Sequence, residues 1–248
     1  MSNGKTIKMP IPNNITSIPK HLAHGELEAV IMRYKALRLL GLKEHPEAFS
    51  SKYEIEVKFP RERWVSRIEN SAAKTFIALN PHSDSEALED DNEHSIPRLF
   101  SHDWLGTITI QGPKILYEGD EMLSKAPWDL FFRVEESSVS ADVAGGTTVY
   151  MLGALFVQDS GRRKGNGRRL IERAVEEVYK EAVESRVSRM LVVVIAEPRN
   201  DSALRLYKAC GFKIWEDKLV LYLPWEQQCV AMTLDVSVTE DQKERIVR

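Results

Sequence analysis

A strand, a glycine-rich turn, a helix and a second strand follow one another between residues 147 and 196. The first strand is predicted over residues 147–157, and three glycines fall within the turn at residues 161–167. Apolar residues then recur at helical spacing, which predicts an amphipathic helix with Leu170, Ile171, Ala174, Val175, Val178 and Ala182 on its apolar face. Residues 190–196 read MLVVVIA, an unbroken apolar run typical of a strand that is buried on both faces. Such a strand needs helices on both faces of its sheet, so the pattern predicts an α/β or α+β fold.

The rest of the chain adds further helices and strands. Apolar spacing predicts a helix that starts near Leu27 and ends before Pro46, and Pro60 opens a second helix with Trp64 and Ile68 one turn apart. Strand-like composition occurs at residues 75–79, 104–110, 212–215, 218–223 and 230–236. A short helix is predicted between residues 203 and 210. The first 25 residues contain three prolines among polar residues and are predicted to form an extended arm.

Two segments interrupt this pattern. Residues 81–98 carry an acidic run, which we interpret as a solvated surface insertion; an acidic lip that attracts a cationic substrate is the alternative. Residues 113–146 are rich in turn residues, and within them residues 128–134 are predicted to form a strand or a helix against the core. We predict that residues 1–248 form a single domain that carries both segments as insertions.

Charge and composition exclude several classes of protein. The chain has 34 basic and 37 acidic residues, a net charge of −3, which argues against bulk electrostatic binding to nucleic acid or to a membrane surface. Its two cysteines, Cys210 and Cys229, are too few for a disulfide framework and lack metal-ligand spacing. The longest apolar runs are shorter than the roughly 20 residues that cross a bilayer, and the N-terminus lacks the apolar middle of a signal peptide. We therefore expect a cytoplasmic protein without a bound metal.

The turn between the first strand and the helix is basic as well as rich in glycine. Five of the eight residues from Arg162 to Arg169 are basic. Glycines allow successive backbone amides to converge, and the start of a helix adds partial positive charge, so the turn is predicted to bind a phosphate-like anion. It differs from a Walker A loop, which needs Lys and then Ser or Thr, and from GxGxxG, which needs a third glycine where Leu170 stands. The structural alternative is a basic helix start on a solvated surface.

A second motif follows the buried strand. Asn200, Ala203, Leu206, Tyr207, Gly211 and Phe212 give the pattern NxxAxxLYxxxGF on the next short helix. Together with LFVQDSGRRKGNG before it, this pattern resembles the GNAT N-acetyltransferase superfamily. The resemblance is strongest over residues 149–223 and defines an acetyl-CoA-binding core at residues 147–223. It implies the GNAT fold, with a central mixed sheet that splays between two parallel strands and with helices on both faces.

The resemblance also implies how acetyl-CoA is held. The family's RxxGxG turn binds the coenzyme A pyrophosphate, and Arg162, Gly165 and Gly167 match it here. Pantetheine pairs with the strand that corresponds to Leu155, Phe156 and Val157, and the backbone amide of Val157 is implied to donate to the acetyl carbonyl. The remaining cofactor-binding residues implied by the resemblance are Arg163, Lys164, Asn166, Asn200, Ala203 and Tyr207. Asn200 is equally a natural helix cap.

Candidates for proton transfer are fewer. Tyr207 resembles the family's general acid, which protonates the departing thiolate; the structural alternative is an aromatic ring that packs against the sheet. Glu197 is the first candidate for a general base, and Asp159 is the second. Both are expected near strand ends, where exposed carboxylates are common, and an amine that is already neutral needs no dedicated base. Cys210 is interpreted as a packing residue, since no histidine is predicted beside it.

The resemblance implies an acetyl-CoA-dependent N-acetyltransferase that transfers its acetyl group directly to a primary amine of a small molecule. Two alternatives remain: a non-catalytic sensor that binds acyl-CoA, and an acetyltransferase that acts on protein lysines or N-termini. The acidic segment favours a cationic acceptor only weakly. No nucleic-acid or membrane partner is expected, and a homodimer is one assembly that the resemblance allows.

Overall fold

The computed structural model describes residues 14–80, 95–132, 144–222 and 226–238. Seven strands form one sheet: β1 Ile15–Ser17, β2 Ala73–Leu79, β3 Trp104–Leu116, β4 Thr147–Val157, β5 Arg189–Ala196, β6 Lys213–Tyr222 and β7 Glu226–Ser237. Their spatial order is β1-β2-β3-β4-β5-β7-β6. β4 and β5 are parallel, and the other neighbours in this sheet are antiparallel.

Helices cover both faces of the sheet. The helices are α1 His24–Glu44, α2 Tyr53–Glu56, α3 Arg61–Glu69, α4 Ser95–Ser101, α5 Asn166–Glu184 and α6 Asp201–Ala209. α5 buries Leu170, Ile171 and Ala174 against one face of the sheet. On the opposite face, α1 and α3 bury Tyr34 and Trp64 in a second apolar cluster. The predicted architecture, a mixed sheet with two central parallel strands and helices on both faces, is confirmed.

Most elements lie where the sequence predicts them, and the C-terminal strands are the main difference. Residues 212–215 and 218–223 were expected to form two strands, whereas the structure has one irregular strand, β6. Its charged centre, Glu216 to Lys218, resembles a turn in the sequence. Because β6 lies at the edge of the sheet, these side chains reach solvent without breaking the strand.

The predicted arm and insertions are partly described. Within the arm, β1 pairs with β2 and buries Ile15, and α1 begins at His24. Within residues 113–146, β3 continues to Leu116, and residues 127–131 form a 3-10 turn that buries Trp128 against β4. The acidic run of residues 81–98 lies largely outside the described residues. None of the helices in the described ranges is long and apolar enough to cross a membrane.

Candidate functional site

The two parallel strands separate towards their C-terminal ends. Pairing between β4 and β5 runs from Thr147 with Arg189 to Leu152 with Val194 and goes no further. Beyond this point β4 continues to pair with β3, and β5 with β7, to the ends of both strands. The backbone edges of β4 and β5 that face each other beyond Leu152 are therefore unpaired and line an opening in the sheet.

A bulge in β4 marks the place where the strands part. Gly153 lies opposite Thr109 and Phe156 opposite Thr107, so two residues of β4 face one residue of β3. The first of the two, Ala154, has a φ of 53°. An extra residue of this kind bends its strand and increases the local twist. The bulge is thus a physical cause of the opening.

The amide of Val157 faces this opening. The next residue, Gln158, donates its amide hydrogen to the Leu105 carbonyl of the neighbouring chain segment at 2.9 Å. Since amides alternate in direction along an antiparallel pair, the amide and carbonyl of Val157 point away from β3. The side chain of Arg162 reaches this edge, and its Nε donates to the Val157 carbonyl at 2.8 Å. The group predicted to donate to the acetyl carbonyl is therefore oriented towards the opening.

The glycine-rich turn presents a set of unpaired amides. Gly165 has a φ of 78° and Arg163 a φ of 60°, and α5 begins directly afterwards at Asn166. Within the described residues, no acceptor is bonded to the backbone amides of residues 163–168. The side chains of Arg163 and Lys164 are exposed. Free amides at a helix N-terminus with two exposed cations fit a pyrophosphate group.

Arg162 and Gly167 attach this turn to the end of β4 and to α6. Nη1 of Arg162 forms an ion pair with Asp159 at 2.9 Å, in addition to the bond with Val157. A Cβ atom on Gly167 would lie 3.1 Å from Cδ2 of Leu206 and 3.9 Å from Cγ2 of Val157. A Cβ at 3.1 Å would force the Leu206 side chain to shift by a few tenths of an ångström, so glycine favours this close approach of the turn, the end of β4 and α6.

The side chain of Asn166 points into the protein. Its Nδ2 donates to the Gly161 carbonyl at 2.8 Å, and its Oδ1 accepts from Asn14 at 3.0 Å and from Arg169 at 2.7 Å. Nε of Arg169 also donates to Oδ1 of Asn14 at 3.0 Å. Asn14 and Asn166 are 4% and 2% exposed. The backbone amide of Asn166 is thus free to bind a ligand, while the Asn166 side chain links the turn to Asn14 at the start of β1.

The second motif forms α6 and its cap. Oδ1 of Asn200 accepts from the Ala203 amide at 3.0 Å, as expected for a helix cap. Tyr207 is 5% exposed, and its ring packs edge-to-face on Phe212 with centroids 5.7 Å apart. Burial raises the pKa of Tyr207 above its ordinary value. A phenol in this setting stays protonated throughout the neutral range, as a general acid requires.

The two candidate bases have different surroundings. Glu197 directly follows β5, and its Oε2 accepts from the Arg199 amide at 2.6 Å. Asp159 is exposed and paired with Arg162 in the turn. Burial raises the pKa of the Cys210 thiol to about 11, so this side chain is a neutral thiol at neutral pH. The described ranges contain no group of three or more His, Cys, Asp or Glu placed to hold a metal ion.

Two clefts lie on the face of the sheet that α1 covers. The larger, of about 360 Å³, is bounded by the C-terminal part of α1, residues 46–54 and the start of β7. Phe49 lines this cleft, and its ring centroid lies 6.4 Å from that of Phe156 on β4. The smaller cleft, of about 220 Å³, lies between α1, α3 and the bulge at Ala154. The smaller cleft therefore reaches β4 from the face opposite α5, and Phe49 connects the wall of the larger cleft to Phe156 of the same strand.

A sheet that opens between two parallel strands beside an amide-rich helix start forms a site that fits a phosphate-bearing ligand. Residues 129–214 match the family model described as an acetyltransferase (GNAT) domain. This segment is about a third of the chain and includes β4, the turn, α5, β5 and α6. The resemblance to the GNAT superfamily is thereby confirmed, as are the enzyme class, an acetyltransferase, and its donor, acetyl-CoA.

Similar solved structures are distant in sequence. Arabidopsis thaliana NAA60, solved with a bisubstrate analogue, is 16% identical over 91% of this chain and 99% of its own, with a TM-score of 0.46. Spermidine N-acetyltransferase from Vibrio cholerae is 13% identical over 90% of this chain and 95% of its own, with a TM-score of 0.45. A GNAT-family acetyltransferase from Streptococcus pneumoniae is 13% identical over 90% of this chain and 99% of its own, with a TM-score of 0.48. No curated protein matches the chain.

Proposed function

We propose that this protein transfers the acetyl group of acetyl-CoA directly to a primary amine of a small molecule, with both substrates bound at once. The observation that carries the proposal is the shared location of three features. The unpaired Val157 amide faces the opening between β4 and β5, and Gly167 of the amide-rich turn lies against both Val157 and Leu206, the residue of α6 that precedes Tyr207. Acetyl-CoA supplies an activated thioester, and the residues that follow bind it, orient it and move protons.

The turn and the edge of β4 hold the donor. The amides of residues 163–168, with Arg163 and Lys164, bind the pyrophosphate. The unpaired edge at Leu155 and Val157 aligns the pantetheine arm, and the Val157 amide stabilises the negative charge that develops on the acetyl oxygen. A backbone amide suits this task because the sheet fixes its direction before the charge appears.

Tyr207 donates the proton that the departing thiolate needs. Its raised pKa keeps the phenol protonated, and its hydroxyl makes no hydrogen bond to the described residues. Glu197 is our proposed base. Alternation along β5 directs Ile195 to the α1 face, and Glu197 follows two residues later. A carboxylate there accepts an amine proton directly or through one water.

The larger cleft is our proposed acceptor site. Its volume of about 360 Å³ suits a small amine, and Phe49 connects it to Phe156, next to Val157. The acceptor thus approaches from the α1 face, while the turn that holds the donor lies at the start of α5. This separation lets both substrates bind before any bond is formed.

The test is coenzyme A release from acetyl-CoA with a panel of small primary amines, in wild type and in Tyr207→Phe. We expect release with at least one amine, and a kcat lower by about 100-fold or more in the variant with an unchanged KM for acetyl-CoA. Tyr222→Phe is the matched control, because Tyr222 is 71% exposed on β6. An unchanged kcat in Tyr207→Phe would remove Tyr207 from the mechanism, and tight acetyl-CoA binding without release across the panel would support a sensor instead.

A further inference from the structure

The smaller cleft, of about 220 Å³, is distinguished by its charge. Arg38 of α1 and Arg67 of α3 both line it, and both bind the carboxylate of Glu56 in α2. The Glu56 side chain is fully buried. Two guanidinium groups thus share one carboxylate, and the group keeps one excess positive charge.

Glu56 does not neutralise the second positive charge. Oε1 accepts from Nη2 of Arg38 at 2.8 Å, and Oε2 accepts from Nε of Arg38 at 3.2 Å and from Nη1 of Arg67 at 2.7 Å. Burial alone would raise the pKa of Glu56, but these hydrogen bonds and the two positive charges lower it from 4.5 to about 2. The carboxylate is therefore ionised and already bonded through both oxygens at neutral pH.

Several donors on the cleft wall make no hydrogen bond to the other described residues. They are Nη1 of Arg38, Nε and Nη2 of Arg67, and the side-chain amide nitrogens of Asn70 and Gln111. Arg67 is held in place by two aromatic rings. Its guanidinium carbon lies 5.2 Å from the ring centroid of Phe59 and 5.1 Å from that of Trp64. A preorganised guanidinium with free donors binds a carboxylate or another oxyanion well.

The cleft also reaches the reacting strand. Gly153 and Ala154 form part of its wall, and Ala154 lies in the bulge where β4 leaves β5. Val157 lies three positions after Ala154, which is about 10 Å along an extended strand. Phe49 of the larger cleft lies 4.7 Å from the guanidinium carbon of Arg38, so the two clefts are adjacent. A small molecule in the acceptor site can therefore extend a second group to Arg38 and Arg67.

We propose that the acetyl acceptor is an amine that also carries a carboxylate, and that Arg38 and Arg67 bind this carboxylate in the smaller cleft. This inference rests on the proposed function and specifies its substrate class as an amino acid rather than a polyamine. The acidic run that would favour a cationic acceptor lies largely outside the described residues, whereas the charge beside the bulge is positive.

Matched amine pairs test the inference. Coenzyme A release is measured for lysine against cadaverine, ornithine against putrescine, and tyrosine against tyramine, each pair differing by one carboxylate. We expect kcat/KM to be at least tenfold higher for the amino acid in a pair that reacts, with the difference arising in KM. In Arg67→Gln the excess charge is removed and this preference falls towards one. Because both amines of a pair are measured on one preparation, partial unfolding does not change the ratio.

Arg63→Gln is the control, since Arg63 lies exposed on the same helix beside Phe59 but does not line the cleft. It should keep the wild-type preference. Preference for the decarboxylated amines, or the same preference in Arg67→Gln as in wild type, would overturn the inference and leave the transferase function intact. Calorimetric binding of the same pairs with coenzyme A present separates the two claims. Selective binding of the amino acids without any release would overturn the transferase function, and with it their role as acceptors, but would leave carboxylate binding by Arg38 and Arg67 in place. Neither binding nor release would overturn both.

Discussion

Replacing Glu56 by glutamine should make the stability of this protein less dependent on acid pH. The folded pKa of Glu56 is about 2 against an ordinary 4.5, because Arg38 and Arg67 favour its ionised form. A lowered carboxyl pKa stabilises the folded state above the unfolded pKa, and this stabilisation is lost as the pH falls towards the folded pKa. The difference between these two pKa values corresponds to about 3.5 kcal/mol at neutral pH, since one pKa unit is worth about 1.4 kcal/mol.

The assay is urea unfolding at several pH values between 7 and 3, followed by intrinsic tryptophan fluorescence, to which Trp64, buried beside Arg67, contributes. Glu56→Gln should be less stable than wild type at pH 7, and about 2 of the 3.5 kcal/mol should be lost from this difference by pH 3. Other carboxylates titrate in both proteins and cancel in the comparison. A difference that stays constant from pH 7 to pH 3 would refute the reasoning.

Glu28→Gln provides the matched control. Glu28 pairs with Arg61 on the surface, and the hydrogen bond from Arg61 also lowers the pKa of Glu28. Solvent screens that pair, so its removal should change the pH dependence much less than the removal of Glu56. Equal effects of the two substitutions would show that burial of Glu56 between α1 and α3 adds nothing to the charge pairing.

Three further outcomes follow from the site. Because burial raises the pKa of Tyr207, ionisation of this residue should not lower kcat between pH 7 and pH 10. A fall in kcat over that range that is absent from Tyr207→Phe would contradict this prediction. Gly167→Val should weaken acetyl-CoA binding at least tenfold by calorimetry, because even a Cβ at this position lies 3.1 Å from Leu206 of α6. Gly25→Ala, at an open position, should bind acetyl-CoA as tightly as wild type. Equal affinities of Gly167→Val and wild type would place the pyrophosphate elsewhere. Asn14→Ala should raise the KM for acetyl-CoA and lower the free energy of unfolding by about 1–3 kcal/mol, because Arg169 loses a buried hydrogen-bond acceptor. An unchanged KM would show that the contact of Asn14 with Arg169 stabilises the fold but does not support cofactor binding.

Local patterns explain why the region from β4 to α6 was predicted well. The apolar runs of β4 and β5 predict strands, and the spacing from Leu170 to Ala182 predicts the buried face of α5. Gly165 adopts a φ of 78°, a backbone requirement that the residue type itself signals. Asn200 was predicted as a cap, and its bond to Ala203 spans three residues. In each case the residues that make the interaction are neighbours in the chain.

Contacts between distant segments could not be predicted in the same way. The sequence predicts that Asn166 contacts the cofactor, but it gives no sign that the Asn166 side chain bonds to Asn14, 152 residues earlier in the chain. Nothing in the sequence around either asparagine identifies the other. The same holds for the bulge at Ala154, because its extra residue is defined only by the pairing of β4 with β3.

The sequence by itself determined most of the elements, the position of the glycine-rich turn and the resemblance to the family, because each depends on residue types within a few positions of one another. Only the tertiary structure decided how far β4 and β5 stay paired, where the Val157 amide points, and that Arg38 and Arg67 share one carboxylate. These features depend on strand register and on helices packed across a sheet. Their energies come from groups brought together by folding, and no local pattern of residues encodes which groups will meet.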